Sequence, residues 1–166
     1  MKKKMLISGA ITLLICLIMA ILIIFLKNFD MVDMIYLEAH INYGVSLEKP
    51  LSTDIIYRYS FGEGEDFYIF NYDSDKDIEK IIQKNGFKKI TESNLEEITK
   101  ILNIYHDDLC EKELSIFDKT TNISNLTKIG NYYLYPNDIN MVDDNDYSIQ
   151  IIFPKERKVY HFAINH

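Results

Sequence analysis

Three carboxylates at alternate positions, Asp73, Asp75 and Asp77, have the spacing with which a loop can surround a calcium ion. Such a loop needs Gly at its sixth position and Glu at its twelfth, and Ile78 and Lys84 stand there instead. Acidic residues ahead of an apolar helix explain the same letters, because a helix N-terminus carries partial positive charge. Asp143, Asp144 and Asp146 crowd a second acidic loop around Asn145, but no distal ligand matches them and a solvated turn is expected. No metal or other cofactor is expected.

The nucleophiles and bases are equally scattered. His106-Asp107 resembles the paired metal ligands of HD-type phosphohydrolases. That family adds further His and Asp ligands on an all-helical scaffold, and the strand patterns of this chain depart from it. His40, His161 and His166 are far apart in sequence, so each is expected to be a satisfied or solvent-facing histidine. Cys110 lies beside Asp107, Asp108 and Glu111, anions that disfavour a thiolate. There is no G-x-S-x-G elbow. Gly62 and Gly64 are flanked by Glu63, Glu65 and Asp66, which would repel a phosphate. A carboxylate pair able to cleave glycosides stays open, since separation in space is not visible in sequence. Tyr132, Tyr133 and Tyr135 cannot all point inward, so that strand shows an aromatic surface on at least one side.

One further pattern concerns association. Ser8, Thr12, Cys16 and Ala20 recur every fourth residue, a ridge of small side chains that would let two transmembrane helices approach closely. A protein partner or a second copy could meet that face. The ridge belongs to the stretch from Met5 to Leu26, 22 uncharged residues of which 14 are Leu, Ile or Phe. As a helix it would be about 33 Å long, against a hydrocarbon core of about 30 Å. Its apolar run exceeds that of a signal peptide, and no small-x-small cleavage pattern closes it. A single uncleaved signal-anchor span is therefore expected over 5–26. Lys2, Lys3 and Lys4 precede it and only Lys27 follows closely, which places residues 1–4 in the cytoplasm and 27–166 outside.

All 25 acidic residues lie beyond that span, with 15 of the 18 basic ones, so the outer part carries about ten net negative charges. Outside the N-terminus the longest positive run is Lys88-Lys89. Nucleic acid is thus not expected as a partner, because binding it needs cationic neutralisation of phosphates. Cys16 and Cys110 fall on different sides of the membrane boundary, which excludes a disulfide scaffold. The richness in Ile, Lys, Asn and Tyr has a bacterial cast.

The outer elements follow from periodicity. Residues 31–43 fit helix or strand, with Gly44 favouring a helix end. Ile55, Tyr57, Tyr59 and Phe61 alternate, Gly62-Glu63-Gly64 turns, and Phe67 to Tyr72 returns as a hairpin. Ser74 caps a helix that Gly86 ends. Ser93 with Glu96 forms a capping box for a longer helix with Leu95, Ile98, Leu102, Tyr105 and Leu109 on one stripe. Residues 120–128 are expected as a polar turn, in which Asn122 and Asn125 match the glycosylation acceptor pattern by chance. Strands follow at Tyr132 to Tyr135, Tyr147 to Phe153 and Lys158 to Ile164, the last two joined through Pro154.

The expected fold is α+β: one N-terminal transmembrane helix, then a two-layer domain of about five antiparallel strands with helices on one face. The expected function is that of a single-pass membrane protein whose outward acidic domain binds or interacts, without a catalytic motif. Two alternatives stand: a cell-envelope hydrolase with a carboxylate or histidine site, and a regulatory tail facing the cytoplasm.

Overall fold

The computed structural model describes residues 17–20, 35–37, 44–58, 64–135 and 147–165. The chain divides into two compact units, 1–35 and 36–166. In the first unit residues 17–20 are helical, and Leu17, Ile18 and Met19 are all exposed. Among the described residues no helix is long and apolar enough to cross a membrane. The rest of the expected span over 5–26, including Ser8, Thr12 and Cys16, lies outside the described residues. Residues 35–37 are helical, and the rest of 31–43 is likewise outside them.

The second unit is built on a six-stranded antiparallel sheet. Its elements are β1 (Ser52–Tyr57), β2 (Gly64–Asn71), α1 (Asp75–Asn85), β3 (Lys88–Lys89), α2 (Leu95–Asp108), α3 (Glu111–Thr120), α4 (Ile123–Leu126), β4 (Tyr132–Leu134), β5 (Tyr147–Phe153) and β6 (Lys158–Asn165). The strand order is β1-β2-β6-β5-β4-β3. An α+β class is therefore observed, with six strands where about five were expected. The addition is β3, two lysines paired to Tyr132 and Tyr133 at the sheet's edge. A two-residue strand has no periodicity to betray it.

Alternation sorts the central strands into two faces. Phe67 and Ile69 of β2, Tyr160, Phe162 and Ile164 of β6, and Ile149, Ile151 and Phe153 of β5 share one cluster with Ile98, Ile101, Leu102 and Tyr105 of α2 and Phe117 of α3. The Phe67 and Phe162 rings, opposite one another in register, lie 4.5 Å apart, and Tyr105 reaches Phe162 at 5.1 Å. Burying each such ring stabilises the fold by roughly 1.5–3 kcal/mol. The intervening residues Tyr68, Phe70, Gln150, Ile152, Val159 and His161 are buried too. Helices on one face thus account for only half of what the sheet conceals. Val45, Leu47, Ile78 and Ile81 are also buried outside the α2 cluster. Asn85 joins two of these pieces: its Oδ1 accepts from the Ser46 amide at 2.6 Å, and its Nδ2 donates to the Ser46 and Ile81 carbonyls.

Local signals act much as expected in α1. The Ser74 hydroxyl accepts from the Asp77 amide at 3.2 Å, and Gly86 closes the helix at φ 71°. For α2 the cap is Asn94 rather than Ser93. The Asn94 side chain serves the preceding turn, accepting from the Thr91 amide and donating to the Lys89 carbonyl. Helix α2 stops at Asp108, and a separate α3 starts behind Cys110, whose amide donates to Glu113 at 3.2 Å. The expected turn over 120–128 holds the end of α3 and the short α4.

Candidate functional site

Of the acidic groups singled out by spacing, Asp75 and Asp77 make side-chain contacts within the protein. Asp77 accepts from the Ser74 hydroxyl at 2.9 Å and lies 3.8 Å from Lys80. Asp75 sits 4.0 Å from Arg157, whose guanidinium also donates to the Asp73 carbonyl. Residues 143–146 lie outside the described residues, as do His40 and His166. Among the described residues no group of three or more His, Cys, Asp or Glu could hold a metal ion.

His106 is half-buried, edge-on to Phe117 at 5.4 Å, with Nε2 3.4 Å from Asp118 and Nδ1 3.8 Å from Asp107. His161 is enclosed on the second sheet face, where Tyr68 stacks on it at 5.9 Å and Gln150 Nε2 lies 3.1 Å from Nδ1. Burial pushes its pKa down to about 3, so it stays neutral. Cys110 is exposed.

Among the described carboxylates, Glu65 is perturbed. Burial, and then the neighbouring Glu113 carboxylate, raise the Glu65 carboxyl above its ordinary range, and the two side chains share a hydrogen bond. Close by, the Tyr57 and Tyr105 hydroxyls meet at 2.7 Å, and Tyr105 donates to the Asp66 carbonyl at 3.1 Å. Both phenols are raised by burial and stay protonated. Tyr133 is buried and stacks on half-buried Tyr135 at 5.7 Å. The Tyr135 hydroxyl donates to Glu97, so this tyrosine pair ties strand to helix.

A concave feature among the described residues lies elsewhere. A cleft of about 490 Å³ opens where the end of α3, the α4–β4 loop and the β5–β6 turn converge. Its cationic lining is Lys89, Lys128 and Lys155, against the single carboxylate of Glu156. Phe153 and Tyr160, rings 4.7 Å apart, add aromatic surface. The walls are fixed by short-range bonds. Asn122 Oδ1 accepts from the Asn125 amide, Thr127 donates to the Ile123 carbonyl, and Asn131 Nδ2 reaches the Asn125 and Leu126 carbonyls. Gly130 takes φ 99°, a conformation an L side chain resists, while its amide donates to the Ile90 carbonyl. The two asparagines of the acceptor patterns thus build this wall.

Two lysines outside the cleft, Lys80 and Lys84, lie 3.9 and 3.2 Å from Glu48. Lys89, Lys128 and Lys155 have no ion-pair partner among the described residues. Sequence gave no view of this cleft, because its cations come from three separate segments and only Lys88-Lys89 stood out as a run. No protein-family model matches the chain, and no curated protein or solved structure matches it.

Proposed function

We propose that the chain is a single-pass membrane protein, anchored through residues 5–26 with its N-terminus in the cytoplasm, whose outward acidic domain binds a ligand or partner. The observation that carries binding is the lining of the cleft. It offers ammonium, hydroxyl and amide groups with aromatic surface, and neither a histidine nor a cysteine lines it. Such a lining can hold and orient a molecule. Anchoring is supported by the uncharged length of the segment and by three successive exposed apolar side chains at 17–19.

Exposed Cys110 supplies the test. With Cys16→Ser, Cys110 becomes the only thiol, and a membrane-impermeant maleimide added to intact cells is expected to label it. Labelling only after lysis would put the domain in the cytoplasm, as the regulatory-tail reading requires.

The Glu65–Glu113 pair favours a second reading, a cell-envelope hydrolase. Burial and a neighbouring carboxylate favour the protonated form of Glu65, the form in which a carboxyl can act as a general acid. On that reading Glu113→Gln would abolish glycoside cleavage by envelope preparations while leaving ligand retention in the cleft intact.

A further inference from the structure

We propose that the cleft between the α4–β4 loop and the β5–β6 turn binds a phosphate group carried by a small ligand with a ring or apolar body. The inference rests on the binding reading above and gives it a ligand class. Three observations carry it.

The first is charge. The chain has a net charge of −7, yet the cleft gathers three lysines around one glutamate, and none of the three is neutralised by a described carboxylate. Ammonium groups kept unpaired around a concavity raise the local concentration of a small anion. The surrounding acidic surface repels an anionic polymer, so the field selects for size as well as sign.

The second is the supply of donors. The Thr120 hydroxyl is engaged by the Ile116 carbonyl, and the Asn131 amide by two backbone carbonyls. The Thr121 and Tyr160 hydroxyls and the Asn125 side-chain amide make no hydrogen bond to another described residue. Tyr160 is only 7 % exposed, and its hydroxyl, which no described residue engages, is available to a ligand. Lysine acts on phosphate as a point charge, needing no forked geometry, and no arginine lines the cleft to favour a bidentate carboxylate.

The third is shape. A volume of about 490 Å³ suits a small molecule, and the Phe153 and Tyr160 rings offer a face for its uncharged part.

The test uses the full chain in uncharged detergent, titrated with phenyl phosphate and, separately, with short-chain phosphatidylglycerol. Saturable binding is expected in at least one arm, which identifies the phosphate as free or as a lipid headgroup. It should weaken about tenfold or more in the Lys89→Gln/Lys128→Gln/Lys155→Gln variant and several-fold in Tyr160→Phe, and fall as salt is raised. Circular dichroism of the triple variant, all of whose changed side chains are exposed, controls for folding. No binding in either arm, or affinity unchanged by the triple substitution in folded protein, overturns the proposal. Release of phenol would keep the ligand class and overturn the non-catalytic reading. Binding by a protein whose Cys110 is shielded in intact cells would keep the cleft and overturn the outward orientation.

Discussion

Gln150 and His161 are direct cross-strand partners on β5 and β6, and Gln150 Nε2 stands 3.1 Å from His161 Nδ1 in a region closed to solvent. The same amide nitrogen reaches the Ser148 hydroxyl at 2.7 Å, while Gln150 Oε1 is buried without a hydrogen-bond partner. Rotating the amide by half a turn would satisfy the oxygen and strand the nitrogen, so one atom of this group lacks a partner either way.

The histidine gives the fold a pH dependence with a fixed sign. Its folded pKa of about 3 lies below the ordinary 6.5 because burial penalises the charged ring. As pH falls below 6.5 the unfolded chain takes the proton first. The stabilisation is therefore complete above pH 6.5 and is lost towards pH 3, at about 1.4 kcal/mol per pH unit. Urea midpoints measured at pH 7 and pH 5 should fall for the wild type and fall less for His161→Gln. Equal slopes would mean that other groups carry the acid sensitivity.

Tyr105 tests the joint between helix and sheet. Its hydroxyl touches the Tyr57 hydroxyl and donates to the Asp66 carbonyl, and its ring is fully enclosed. Tyr105→Phe should cost about 1–3 kcal/mol, because it leaves a buried carbonyl and a phenol without their partner. Adding Tyr57→Phe to it should cost less than the two single changes together. Additive losses in urea unfolding would show that the hydroxyl pair does not couple β1 to α2.

Gly86 isolates backbone strain. It sits at φ 71°, and an added Cβ there meets nothing within 4 Å. Gly86→Ala should thus destabilise α1 by about 1 kcal/mol through conformation alone, and Gly86→Asn by less. Thermal unfolding of the two variants separates this from a steric clash, which would make Asn the worse of the pair.

What the sequence disclosed was local. Ser74, the acids after it and Gly86 act on backbone within a turn of themselves, so α1 was legible from its letters. Alternation in 147–153 and 158–164 was equally plain, since each strand presents one face to α2. The break at Leu109 was hidden, because the apolar stripe runs up to it and Cys110 is an unusual residue at a helix start. The burial of both sheet faces was hidden as well. Gln150, Ser148 and His161 look like solvent-facing residues until the second face is seen to be covered. The cleft was least visible, being assembled from β3, the α3–β4 stretch and the β5–β6 turn, with no motif spanning them.

The shortest strand has an effect out of proportion to its length. Where β3 ends the sheet, a stray polypeptide seeking to polymerise onto it would find two residues of ladder, both of them exposed lysines. Stacking molecule on molecule is unfavourable along that border, and a protein rich in tyrosine and isoleucine strands is kept from fibre growth there by a pair of ammonium groups.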